Sequence, residues 1–269
     1  MSRLRGALID LDGTVYLGDE LLPGVVDGID ALEEAGVEPV FLSNNATKRP
    51  AQYREKLAGF GIDVPADSVR NSAAIAAAFL ADRHPDAGVY VIGEPALVAE
   101  LRAAGLDVVT RPEDTDVVLA SMDLEFGQDA LQDVLDADRQ GEIAIYATNP
   151  DRTCPVEDGE IPDCGAVIGA IEGLLGREID GVLGKPSRVT IDVALDRLGM
   201  EPDECVMIGD RLGTDIRMGK RAGMRTALVL TGVTDRAAVE AHDVEPDHVL
   251  DSLADAGQLV DDRRSTDRP

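Results

Sequence analysis

Short apolar runs alternate with amphipathic stretches from one end of the chain to the other, a pattern that predicts βα units stacked on a parallel sheet. Ala7 to Leu11 predicts the first strand. Val25 to Ala35 places apolar residues at helical spacing and stops at the helix terminator Gly36, and Pro39 to Leu42 then resumes as a strand ending at Ser43. Helices are expected at about Ala51 to Ala58 and Ala73 to Arg83. Val89 to Ile92, Asp107 to Val109, Val117 to Ala120 and Ile143 to Ala147 read as strands, with helices at Ala96 to Ala104, Gln128 to Arg139 and Ala166 to Leu175. Beyond these come a helix over Ser187 to Leu198, a strand at Cys205 to Ile208, a helix at Asp215 to Ala222 with Thr214 as its N-cap, and Thr226 to Leu230 as the last clear strand. The polar tail from Asp261, DDRRSTDRP, is expected to be disordered. The fold class read from this pattern is α/β.

Composition narrows the picture. The core must be built from Val, Leu, Ile and Ala, because aromatic residues make up only 3% and Trp is absent; that suits a parallel sheet covered by helices. The formal net charge is -27, from 52 acidic and 25 basic residues in 269. A field of that sign repels phosphate backbones and anionic lipid, so neither nucleic-acid nor membrane partners are expected. The acids are spread along the whole chain, which reads as a salt-adapted, halophilic surface. No run approaches the roughly 20 apolar residues of a membrane span, and the start reads as a strand rather than a signal peptide, so a cytoplasmic location is expected. Cys154, Cys164 and Cys205 have no CxxC spacing, which disfavours a disulfide framework or a structural zinc site. His84, His242 and His248 form no triad or HExxH motif.

Four short motifs carry candidate chemistry, each at a predicted element end. In Asp10-Leu11-Asp12-Gly13-Thr14 the two acids are two apart on an extended chain and face one side, so one can attack a phosphorus atom while its neighbour handles protons. Gly13 permits a tight turn that Thr14 can lock by hydrogen bonding. Ser43 and the amides after it, at a strand's carboxyl end, can hold phosphate oxygens. Lys185, in Gly184-Lys185-Pro186-Ser187, is one of four lysines in the chain and can neutralise phosphate charge. Asp210 and Asp215, in GDRLGTD, are hard oxygen donors of the kind Mg²⁺ selects.

Together the four motifs resemble the signature set of the haloacid-dehalogenase (HAD) superfamily, and DLDGT, FLSNNAT, GKPS and GDRLGTDI are similar in particular to the NagD-like class IIA phosphatases. Val91-Ile92-Gly93 and Ala147-Thr148-Asn149-Pro150-Asp151 extend the likeness over nearly the whole chain to about Leu230. The resemblance implies a Rossmann-like core over 1–80 and 182–260 with an inserted α/β cap of C2 type over 81–181. It implies a Mg²⁺-dependent phosphatase for a small phosphorylated metabolite, such as a sugar phosphate or nucleoside monophosphate. Asp10 would be the nucleophile and Asp12 the general acid/base. Ser43, Asn44 and Lys185 would contact phosphate. Asp10, the Asp12 carbonyl and Asp210 would bind metal, with Asp215 and Thr14 in support. Asn149, Asp151 and Arg152 are candidates for leaving-group recognition. Asp163-Cys164-Gly165 departs from the run common in relatives, so substrate contacts are not carried over there. Caps of this type can form dimer contacts, which makes a homodimer one expectation. The same residues would permit a phosphotransferase, and a non-catalytic phospho-acceptor or metabolite sensor is the alternative from another class.

Overall fold

The computed structural model describes residues 3–156 and 159–261; the remainder of the expected tail lies outside them. The described residues divide into two compact units. One runs to Ser43, takes up Tyr53–Arg70 and resumes at Ile191; the other comprises Asn44–Gln52 and Asn71–Thr190. The expected insert 81–181 falls inside the second unit, and segments 44–52, 71–80 and 182–190, read with the core, cluster there too.

The first unit is built on a six-stranded sheet in the order His248–Leu250, Arg225–Val229, Cys205–Gly209, Gly6–Asp10, Glu38–Ser43, Val69–Asn71. The pairings from His248–Leu250 through Glu38–Ser43 are parallel. Side-chain alternation on these strands feeds two cores. Ala7, Ile9, Phe41, Val206 and Ile208 point to one face with Val25, Ile29, Leu32 and Leu57 of its helices. Leu8, Val40, Leu42 and Met207 point to the other with Ile191, Ala194, Leu195 and Met218. Every strand of the central trio is therefore apolar on both sides, and polar residues are confined to its ends.

The second unit repeats this grammar on five parallel strands, ordered Gly181–Val182, Ala144–Ala147, Val117–Ala120, Gly88–Ile92, Asp107–Val109. The helices Gln128–Gln140 and Cys164–Leu175 bury Val134, Ala137, Val167 and Ile171 against Val118, Ala120 and Ile145. Asp163 caps the latter helix, its Oδ1 accepting from the Cys164 N–H at 2.6 Å, which gives the departing Asp-Cys-Gly run a local structural role. An antiparallel hairpin, Thr153–Val156 with Gly159–Pro162, completes the unit.

The α/β class and most boundaries agree with the pattern; the hairpin Thr153–Val156 with Gly159–Pro162 and the helix Arg236–Ala241 were not expected, and three further differences stand beside them. Thr226 to Leu230 is not the last strand: His248–Leu250 follows and pairs with it in parallel, which places His248 on a strand. Short elements at Val69–Asn71, Gly181–Val182, Tyr16–Leu17 and Glu20–Leu21 carry too few residues to show a period. The helix expected from Asp215 begins at Arg217, and Leu212–Ile216 forms a π-helical turn instead. Among the described residues no helix is long and apolar enough to cross a membrane.

Candidate active site

Asp10 is the last residue of the Gly6–Asp10 strand, and Asp210 follows the neighbouring strand Cys205–Gly209 directly. Both therefore emerge at the carboxyl ends of the two middle strands, where ligands of open parallel sheets collect. Asp215 reaches the same place from the π-helical turn. Its Oδ2 accepts from the Arg211 N–H at 3.1 Å, so the carboxylate folds back rather than standing in the first turn of a regular helix. This tertiary use of Asp215 displaces the local capping role expected of Thr214. Asp10, Asp210 and Asp215 are all buried, and each offers a carboxylate oxygen lying within 4.8 Å of the others.

Three carboxylates this close repel by roughly 3 kcal/mol per ionised pair at an effective dielectric near 20. A divalent cation removes that cost. The donor set is oxygen only, without His or Cys, which fits Mg²⁺ and not a soft metal. Asp12 stands apart from the trio: it is exposed.

The loop after Asp10 is closed by main-chain bonds. Gly13 N–H donates to the Tyr16 carbonyl at 2.8 Å and Val15 N–H to the Leu11 carbonyl at 2.9 Å. The Thr14 hydroxyl is buried and finds no partner among the described residues, so the lock expected of its side chain is made by backbone instead. Gly13 has φ +88, and a Cβ there would meet Asp210 Oδ2 at 2.7 Å, so conformation and space both demand glycine.

Sequence reasoning missed the loop that holds Asp210. Val233 N–H donates to Asp210 Oδ2 at 2.7 Å, and Thr231 Oγ1 donates to the Gly13 carbonyl at 2.6 Å. The signal was present, since Thr231-Gly232-Val233 follows the carboxyl end of the Arg225–Val229 strand. It missed Lys56 as well. This ammonium sits 3.8 Å from the centroid of the Tyr16 ring, 3.1 Å from Asp19 and against the Gly18 carbonyl, pinning the hairpin that continues the Asp10 loop. Burial, then the charge of Asp12, hold the Tyr16 phenol far above its ordinary value, so it stays neutral.

Ser43 ends its strand and is buried in the first unit. Asn44, Asn149, Asp151 and Lys185 come together in the second. Lys185 is 4% exposed. The Asn44 side chain accepts from the Lys185 N–H at 2.8 Å and donates to the Lys185 carbonyl at 3.0 Å and to Asp151 Oδ2 at 2.9 Å. Asn149 is buried, donating to the Asn44 carbonyl at 3.1 Å and accepting from the Asp151 N–H at 2.9 Å. Arg152 is exposed. Cys154, Cys164 and Cys205 are not bridged by disulfides. Burial raises the Cys164 and Cys205 thiols to about 11 and about 12, so neither is a nucleophile at neutral pH.

Comparison with known proteins places this geometry. The Haloacid dehalogenase-like hydrolase family matches residues 7–107, and a second, HAD-hydrolase-like family matches residues 182–256. The sugar-phosphatase AraL of Bacillus subtilis is 39% identical over 257 residues, covering 96% of this chain and 93% of that protein. The acid sugar phosphatase of Staphylococcus aureus is 34% identical over 256 residues, covering 95% and 98%. Among solved structures, the p-nitrophenyl phosphatase from Archaeoglobus fulgidus aligns with TM-score 0.90 at 36% identity over 96% of this chain and 100% of its own. NagD from Escherichia coli K-12 aligns with TM-score 0.85 at 29% identity, over 94% and 98%. With three of its motifs at the ends of adjacent strands and relatives matched along almost their full length, the chain belongs to the haloacid-dehalogenase superfamily, among its NagD-like class IIA phosphatases.

Proposed function

We propose that this protein is a Mg²⁺-dependent phosphatase acting on a small sugar phosphate through an aspartyl-phosphate on Asp10. The observation that carries the reading is the buried trio of Asp10, Asp210 and Asp215 beside the exposed Asp12. The sugar-phosphate class is supported by the two sugar phosphatases matched over more than nine-tenths of the chain.

Asp10, Asp210 and the carbonyl of Asp12 would hold the cation, with Asp215 completing the carboxylate cluster. When bound, Mg²⁺ offsets the negative charge of the carboxylates and of the phosphoryl oxygens. The reaction itself belongs to the side chains. A carboxylate oxygen of Asp10 attacks phosphorus in line with the ester oxygen, and the P–O bond to the sugar breaks. The departing alkoxide takes the proton of the Asp12 carboxyl. Asp12, now a carboxylate, takes a proton from water as that water attacks the acyl phosphate, which releases inorganic phosphate and restores Asp10. Ser43 and Lys185 would hold the phosphoryl oxygens. The Asn149, Asp151 and Arg152 segment would face the leaving group.

The test is phosphate release from a panel of sugar phosphates, nucleoside monophosphates and p-nitrophenyl phosphate, with Mg²⁺ and with EDTA. Turnover should need Mg²⁺, favour sugar phosphates and vanish in Asp10→Asn. Turnover that survives EDTA, or that persists in Asp10→Asn, overturns the mechanism; a preference for another class of phosphate ester overturns the substrate assignment alone.

A further inference from the structure

Asn44 stands where phosphate contacts are expected, yet its side chain is fully engaged elsewhere. Its Oδ1 accepts from the Lys185 N–H at 2.8 Å, and its Nδ2 donates to the Lys185 carbonyl at 3.0 Å and to Asp151 Oδ2 at 2.9 Å. An amide has two N–H donors and one carbonyl, and each is used. Its main-chain carbonyl is also tied down, by the Asn149 amide at 3.1 Å and by the Ser72 hydroxyl. The two bonds to Lys185 form a reciprocal pair, as between residues facing across a sheet, and such a pair fixes both the place and the tilt of a peptide. The bond to Asp151 joins that peptide to the Asn149-Pro150-Asp151 run at the end of the Ala144–Ala147 strand. Asp151 is itself set by Asn149, whose Oδ1 accepts the Asp151 N–H at 2.9 Å.

We infer that the Asn44 side chain is a positioning group rather than a phosphate ligand: it fixes the Lys185 peptide and couples it to Asp151, so that the ammonium's aim and the Asn149–Asp151 segment are set together. The inference rests on the reading of Lys185 as the phosphate cation. Its recognition chemistry differs from that of a direct ligand. A side chain that binds phosphate needs only a donor, whereas this one needs donor and acceptor in fixed places, because it meets an N–H, a carbonyl and a carboxylate at once.

That requirement supplies the test. Asn44→Asp keeps the shape and the acceptor but turns the donor edge into an acceptor edge, opposed to the Lys185 carbonyl and to the Asp151 carboxylate. Asp151→Asn in the same chain returns a donor to one of these contacts. The readouts are the inhibition constant of inorganic phosphate and the separate kcat and KM for p-nitrophenyl phosphate, with the folded state checked by circular dichroism. Two lost hydrogen bonds and one new repulsion should weaken phosphate inhibition by at least about tenfold in Asn44→Asp, and adding Asp151→Asn should recover a measurable part of the loss. A direct-ligand role gives the opposite pattern, with no recovery in the double variant, and overturns the inference. If Asn44→Asp does not fold, Asn44→Ala and Asp151→Ala are measured singly and together instead: phosphate inhibition should weaken in each, and the double variant should lose no more than the worse single one, whereas additive losses overturn the inference. Unchanged inhibition in Asn44→Ala overturns the inference. Lys185→Met is the control that separates the two readings. If it leaves phosphate inhibition unchanged, the role of Lys185 falls; if it abolishes inhibition while Asn44→Asp behaves as wild type, only the inference about Asn44 falls.

Discussion

Gly232→Ala is expected to disable catalysis while leaving the fold in place. A Cβ on Gly232 would lie 2.0 Å from Asp210 Oδ2 and 2.5 Å from its Cγ, against the 3.0 Å below which real Cβ atoms are essentially never found. The carboxylate would therefore have to retreat by about 1 Å or the loop give way by as much. Backbone conformation adds nothing to this, since Gly232 is not among the glycines at positive φ. Asp210 is one of three oxygens grouped within 4.8 Å, and a misplacement of about 1 Å at a reacting centre costs on the order of 100-fold in rate. The assay is kcat/KM on p-nitrophenyl phosphate across a Mg²⁺ titration, beside a thermal melt. A fall of about 100-fold, a raised half-saturating Mg²⁺ concentration and a small change in Tm are expected. Gly105→Ala is the counterpart: at φ +84 with nothing within 4 Å, it should cost about 1 kcal/mol of stability through the backbone and leave the Mg²⁺ dependence alone. Wild-type kinetics in Gly232→Ala would refute the placement of Asp210 as a metal ligand.

Lys56→Met keeps the aliphatic stem and removes the charge that holds the Tyr16 ring, Asp19 and the Gly18 carbonyl; amide exchange across residues 16–21 should accelerate by roughly fivefold, for a contact worth about 1 kcal/mol, and unchanged exchange would show the hairpin is held elsewhere. Asp247 bears on acid stability. Burial pushes its carboxyl up, but hydrogen bonds from Lys220 and Thr226 outweigh this and leave it below the ordinary carboxylate value. A depressed carboxyl contributes stability above its unfolded value and loses it as pH falls through the folded one, so the Tm curves of wild type and Asp247→Asn should separate at neutral pH and converge in acid; parallel curves would dismiss the coupling. The net charge of -27 should make Tm rise as KCl is raised from about 0.1 M to 1 M, where the screening length falls from about 10 Å to 3 Å, and a flat response would remove the salt-adapted reading.

What the sequence made legible was whatever repeats with a period or sits at the end of an element that does. The central strands announce themselves because Ala7, Leu8 and Ile9 are apolar on both faces, as only a doubly covered sheet allows. Asp10 and Asp210 were legible for the same reason, being the first polar residues after such runs. The edge strand His248–Leu250 was not, since three residues with His248 half-buried and Val249 exposed show neither alternation nor an apolar run. The π-helical turn at Leu212–Ile216 escaped because Asp215 and Thr214 read locally as a good helix start, and only the approach of Asp215 to Asp10 and Asp210 explains the different winding. Lys56 and Thr231 act across 40 and 218 residues of sequence on Tyr16 and Gly13 respectively, and no local pattern encodes such pairings.

The order of strands sets an order of assembly. Gly6–Asp10 is synthesised before any strand of the second sheet, whereas its partner on one side, Cys205–Gly209, is synthesised after all of them. All five strands of the second sheet have by then been synthesised, the last ending at Val182. During translation the second unit can close on itself while the strand that ends at Asp10 still has an open flank. The carboxylates that repel one another can thus be gathered only after the second sheet is complete, and the loop that holds Asp210 follows later still.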